Sequence, residues 1–199
     1  MQYYVMECDG PYPSRPLISE NKSTGTWMLG KPFNEKRKQF MEPRLPFRFK
    51  QDLKYDSGFG GRSPNMKAMY DAESPPLMRN DLIGALREAV AENLELFPVL
   101  IEDPATGEVA ENYKAFNIEG LAACTDMDAS EFMEEPEDSG MTDMDFSSLV
   151  IDESRTNGLH LFRLAECLSA IVVSENVRRK IEEKGIAGMV FYGPGEWSG

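Results

Sequence analysis

The sequence predicts an α+β fold: a mostly antiparallel sheet of short strands with about two packed helices, in a single domain. Three observations predict it. The chain divides into about eight short β-prone runs, most of them bounded by Gly, Pro, Asn or Asp. Two windows carry the apolar spacing of a helix. The two kinds of element do not alternate strictly, which argues against a parallel βαβ sheet.

The elements follow in order. Gln2-Tyr3-Tyr4-Val5-Met6 opens as a strand and is stopped by Asp9-Gly10-Pro11. Pro11-Tyr12-Pro13-Ser14-Arg15-Pro16 reads as an extended connector, with an extended recognition ligand as the alternative. Thr24-Gly25-Thr26-Trp27-Met28-Leu29-Gly30 predicts a second strand, and Pro46-Phe47-Arg48-Phe49-Lys50 a third with one exposed face. Gly58-Phe59-Gly60-Gly61 lacks the strand, Lys and Ser/Thr of a phosphate loop and reads as a turn.

A helix is expected from an Asn80 cap, with Asp81 at the positive end of its dipole and Ile83, Leu86, Val90 and Leu94 on one face. Phe97 and Pro98 are expected to end it. Strands then follow at Pro98–Glu102 and Tyr113–Ile118, joined around Asp103-Pro104-Ala105-Thr106-Gly107. Gly120 to Cys124 continues or bends this sheet. Leu149–Asp152 and Leu159–Leu164 read as a hairpin around Asn157-Gly158. Ile171-Val172-Val173 leads through a Ser174 cap into a helix with Val177 and Ile181 inward, closed at Gly185. Met189–Tyr192 is the last strand.

The expected core comprises Leu86, Val90, Leu94, Phe116, Leu161, Phe162, Val172, Ile181, Val190 and Phe191. Leu161 and Phe162 are neighbours, so burying both requires a strand covered on its two faces. Arg163 beside them needs a partner, and Asp152 or Glu153 across the expected turn is the candidate.

At 199 residues the chain is long enough for one real core. Its charge is −13 and very uneven. Residues 1–70, a basic strand- and turn-rich part, hold 12 Lys/Arg against 7 Asp/Glu. Residues 71–157 hold 4 against 22, and residues 158–199, a strand–helix–strand end, hold 5 of each. The acidic balance argues against nucleic acid as a direct ligand. No apolar run is long enough to span a membrane, and the first residues lack the basic and apolar regions of a signal peptide. Three widely spaced cysteines suit a reducing cytoplasm better than a disulfide framework.

Within the acidic part, Asp126, Asp128, Glu131, Glu134, Glu135, Glu137, Asp138, Asp143 and Asp145 follow one another with no base between them. Such density resists compaction unless a positive surface lies opposite. Three readings stay open: a solvated loop, a divalent-cation site, and a partner surface that masks a basic site. The cation reading is weakened by the missing Gly and closing Glu of a calcium-binding loop. His160 is the single histidine and sits in a strand-like run, on the face opposite Leu159 and Leu161. Cys124 and Cys167 lie among small or apolar residues and read as core. No catalytic constellation, cofactor motif or metal-ligand spacing is present in the sequence.

From Phe97 onward the chain resembles the immunity proteins of bacterial polymorphic toxin systems, the subgroup numbered eleven, originally a domain of unknown function. The matching segments are Phe97-Pro98-Val99, Asp103-Pro104-Ala105-Thr106-Gly107, Asn112-Tyr113-Lys114-Ala115-Phe116-Asn117-Ile118 and Asp126-Met127-Asp128-Ala129-Ser130-Glu131. Leu161-Phe162-Arg163-Leu164-Ala165, Ile171-Val172-Val173-Ser174-Glu175 and Gly185-Ile186-Ala187-Gly188-Met189-Val190-Phe191 complete the pattern. The resemblance implies a non-catalytic, cytoplasmic protein that binds and neutralises a toxin encoded beside it. A nuclease-like toxin with a cationic active site would suit the nine carboxylates. The alternatives are a metal-dependent hydrolase using the Asp126–Asp145 carboxylates and a non-catalytic scaffold or adaptor.

Overall fold

A computed structural model describes residues 1–10, 16–20, 29–52, 66–73, 75–89, 91–133 and 144–199. In chain order the elements are β1 (Tyr3–Cys8), β2 (Leu17–Ser19), α1 (Glu35–Met41), β3 (Phe47–Gln51), β4 (Met69–Tyr70), β5 (Leu77–Arg79), α2 (Asn80–Glu88) and β6 (Leu94–Glu102). They continue with β7 (Val109–Ala110), β8 (Tyr113–Ile118), β9 (Leu121–Ala122), β10 (Glu131–Phe132), β11 (Phe146–Ser148), β12 (Leu161–Leu164), β13 (Ile171–Ser174), α3 (Glu175–Glu183) and β14 (Met189–Tyr192).

Two sheets organise the chain. The first runs β14-β1-β13-β12-β9, the second β2-β3-β6-β8-β5-β4 with β7 also paired to β6, and β10 and β11 form a separate ribbon. Most pairings are antiparallel; β3 on β6 and β9 on β12 are parallel. This is the expected α+β class, dominated by sheet. No helix among the described residues is long and apolar enough to cross a membrane.

Strand periodicity sorts the core into three clusters. Tyr4 and Met6, Leu161, and Ile171 and Val173 point from the first sheet towards α2, α3 and the second sheet, where Leu86, Phe116, Val177 and Ile181 meet them. Tyr3, Val5, Phe162 and Val172 point the other way, into a cluster covered by Phe146, Leu149, Cys167 and Trp197. Phe47, Phe97, Val99 and Tyr113 form the third cluster on the far face of the second sheet, closed by Phe33 and by Met41 of α1. Leu161 and Phe162 thus enter different clusters, and β12 is covered on both faces as its sequence requires.

The second predicted helix is realised with its Ser174 cap, inward Val177 and Ile181 and Gly185 closure. Ser174 Oγ accepts the Val177 N–H, and Gly185 adopts φ +62°. The Gly185 N–H bonds to the Glu182 carbonyl and the Ile186 N–H to the Ile181 carbonyl, a two-bond C-terminal closure that buries Ile186 beside Ile181.

Several expectations are corrected. Asn80 is the first helical residue of α2 rather than its cap, and Arg79 precedes it with no side-chain cap. The helix stops at Ala89, whereas Leu94 and the Phe97-Pro98 pair lie inside strand β6. From Leu94 the alternation Leu94, Leu96 against Glu95, Phe97 fits a half-buried strand, and that period wins. Pro98 is tolerated because it ends the β8 ladder, one residue before pairing with β3 begins at Val99. Val90 lies outside the described residues. Leu94, at the start of β6, is only partly buried; so are Val190 and Phe191, since β14 is an edge strand with one neighbour.

The Asn157-Gly158 hairpin does not form. Asp152 accepts hydrogen bonds from the Ser154 backbone and hydroxyl and caps a 3-10 turn over Glu153–Arg155. Asn157 and Gly158, at φ +53° and +72°, follow that turn instead of joining two paired strands. Leu149–Asp152 is likewise not a strand; Ile151 contributes one bridge to Thr125. Arg163 therefore does not meet Asp152 or Glu153. It is 1 % exposed, and its Nη1 donates to the Leu168 carbonyl at 2.6 Å.

His160 lies just before β12 rather than within it, with Nδ1 2.8 Å from the Ser174 hydroxyl. Helix α1 has no counterpart in the sequence reading. Its signal is local: Asn34 accepts the Arg37 N–H at 2.9 Å. Of the second predicted strand, residues 24–28 lie outside the described residues and Gly30 turns at φ +72°. A side chain there would strike Leu121. Residues 11–15 and Gly58–Gly61 also fall outside the described residues.

Candidate functional site

The acidic stretch begins where the chain leaves the first sheet. After β9, Cys124 packs into the second core cluster and Thr125 bridges to Ile151. A tight turn follows, and its geometry is set by Asp126. One carboxylate oxygen of Asp126 accepts the N–H groups of Asp128 at 3.2 Å and Ala129 at 3.1 Å, while its carbonyl accepts the Ser130 N–H at 2.9 Å. Asp126 is thus a turn-forming residue, as aspartate is wherever its side chain can bond its own backbone two residues on. Ser130 locks the turn to the segment that follows β11, its hydroxyl accepting the Val150 N–H at 2.9 Å.

The stretch then enters the ribbon of β10 and β11. Phe132 meets Phe146 edge-to-face at 5.8 Å, and the Met133 N–H reaches the Asp145 carbonyl at 3.0 Å. Residues near the end of the chain brace the ribbon from its other side. Phe146 and Gly199 exchange two backbone hydrogen bonds, and the Gly195 N–H bonds to the Leu149 carbonyl. Trp197 is buried beneath, with its indole N–H donating to Glu7. The ribbon is therefore held by backbone hydrogen bonds to residues 195 and 199 and packed over buried Trp197.

Of the nine predicted site residues, Asp126, Asp128, Glu131 and Asp145 are described. Asp128, Glu131 and Asp145 are exposed at the turn and ribbon, and Asp126 is half-buried. Glu134, Glu135, Glu137, Asp138 and Asp143 lie outside the described residues. Two residues that charge reasoning missed share this surface: Met127, 39 % exposed, and Met133, 67 % exposed. Each sits beside at least one predicted carboxylate in sequence, which was the available signal. Exposed methionines among charges form an adaptable apolar contact surface.

The surrounding chemistry is quiet. Among the described residues no group of three or more His, Cys, Asp or Glu side chains converges to hold a metal ion. Burial pushes the Cys124 thiol up to about 12, and the Glu166 charge adds to it, so the thiol stays protonated at neutral pH. What the surface offers is charge and apolar contact on a braced support.

Compared with known families, residues 67–195 match the model described as Immunity protein family (Imm11). No curated protein matches the chain.

Proposed function

We propose, from the premise that the chain belongs to the Immunity protein family (Imm11), that it binds and neutralises a cognate antibacterial toxin in the cytoplasm of the cell that produces both. The family match supports neutralisation. The toxin class and the contact surface are our own reading. The observation that carries it is the juxtaposition of exposed Met127 and Met133 with Asp128, Glu131 and Asp145 on the braced turn and ribbon. In this reading Glu134, Glu135, Glu137, Asp138 and Asp143, which lie outside the described residues, add to the negative charge of the same stretch of sequence. Asp126 shapes its turn.

A toxin that handles phosphate, such as a nuclease, carries a cationic active site, and a dense anionic surface occludes it by charge complementarity. The same field speeds encounter, because long-range attraction raises the association rate most at low ionic strength. No chemical step is required of the inhibitor; masking the toxin suffices. Co-expression tests this. Cells expressing the toxin encoded beside this protein should grow when the intact chain is supplied and arrest when it is not. Arrest in both cases, with the chain folded and abundant, would overturn the assignment.

A further inference from the structure

Residues 67–195 contain ten lysines and arginines. Eight of them bond to a carboxylate or a backbone carbonyl, such as Lys67 to the Cys8 carbonyl, Arg79 to Asp81 and Lys184 to Glu88. The side chains of the other two, Arg87 and Lys114, have no hydrogen-bond or ion-pair partner among the described residues. Within residues 67–195 these are the two cationic side chains left unengaged among the described residues. Both line the same groove.

The groove lies between α2 and the β6–β8 ladder. Ile83, Gly84 and Arg87 form the helix wall; Leu96, Pro98 and Lys114 form the sheet wall, where Lys114 stands opposite Pro98 in register. It is open to solvent and has a volume of about 540 Å³. Its floor is apolar and its two cations come from different walls, one from each element.

Gly84 supplies an independent observation. A glycine inside a helix is destabilising relative to alanine, so its presence asks for a cause. Neither of the usual structural causes applies. Its φ is not positive, and a Cβ placed there would meet no atom within 4 Å. What the missing side chain provides is room in the groove.

We propose that this groove docks an extended segment of a partner protein that carries a carboxylate beside an apolar side chain. The carboxylate pairs with Arg87 and Lys114, and the apolar side chain lies over Gly84 between Ile83 and Leu96. An inorganic anion would leave that floor without a contact, and an open groove suits a chain segment better than a small molecule, which favours enclosed pockets. The site is opposite in charge to the carboxylate surface and is carried by different elements, so it stands or falls separately from that surface.

The test titrates the full chain at low salt with a labelled, capped peptide of sequence Glu-Leu-Asp-Leu-Glu, read by fluorescence anisotropy. The controls are the peptide Lys-Leu-Lys-Leu-Lys and inorganic phosphate as competitor. Saturable binding of the acidic peptide is expected, weakened about tenfold or more when Arg87→Gln and Lys114→Gln are combined, as losing a charge-assisted contact requires. Gly84→Leu should block it while leaving the melting temperature at or above that of the wild type. No saturable binding, equal binding to the double variant, equal binding of the lysine peptide, or complete displacement by phosphate would each overturn the proposal.

Discussion

Glu95 and Asn117 stand opposite each other across the β6–β8 ladder, and the Asn117 amide donates to the Glu95 carboxylate at 3.0 Å. Both are buried. The same carboxylate accepts the Phe33 N–H at 2.9 Å and faces the Lys38 ammonium at 3.1 Å, while Asn117 also bonds Gly30 and Lys31. These two side chains tie residues 30–38 to the sheet. That segment lies outside the stretch that matches the family.

Removing one member of such a network leaves buried polar groups without their partners. Asn117→Ala should lower stability by about 1–3 kcal/mol, read from denaturant midpoints. A change within experimental error would show that the network holds nothing.

The central cluster and the one behind the first sheet can be tested separately, because Leu86 belongs to one and Phe162 to the other. Both are fully buried. Leu86→Ala should cost about 2–5 kcal/mol and Phe162→Ala about 3–5 kcal/mol. Unchanged melting temperatures for both would contradict the two-faced burial of the first sheet.

Strand β1 lies between β14 and β13, with side chains entering both of those clusters. A fragment beginning at residue 67 lacks it and also lacks β3, the parallel neighbour of β6. That fragment should give no cooperative thermal transition. Adding residues 1–66 as a separate chain that restores the transition would support the same account; a fully cooperative fragment would refute it.

Cys124 is raised to about 12 by burial first and by the Glu166 charge second. At pH 8 an unfolded thiol, near 8.5, is substantially ionised and a buried one is not. Alkylation of Cys124 by iodoacetamide at that pH should therefore be slow in the folded protein and fast after denaturation. Rapid labelling of the native protein would show that the site opens.

Local signals were legible and distant ones were not. The Ser174 cap and Gly185 closure of α3 are encoded within a few residues, and the structure reproduces them. The Leu161–Leu164 run announces a strand buried on both faces because no polar residue but Arg163 interrupts it. By contrast, the parallel pairings of β3 with β6 and β9 with β12 join residues far apart in sequence, and no turn advertises them. At Asn157-Gly158 two local signals competed: the Asp152 cap set a helical turn first, and the hairpin signal became its exit. The acidic stretch was visible from charge alone, but the turn-forming role of Asp126 and the exposure of Met127 and Met133 depend on how Ser130 and the ribbon hold it.

The central claim is that the acidic stretch captures a cationic toxin, and association kinetics test it most directly. Stopped-flow mixing of the purified toxin domain with the wild type and with the combined variant Glu134→Gln, Glu135→Gln, Glu137→Gln and Asp138→Asn isolates the contribution of charge. The screening length is about 8 Å at roughly 0.15 M salt and about 30 Å at roughly 0.01 M, so steering is strongest in dilute buffer. The account predicts a variant that melts at or slightly above the wild-type temperature and associates more slowly at low salt, with the difference shrinking as salt is added. An association rate equal to wild type at low salt would contradict it and place the contact elsewhere on the molecule.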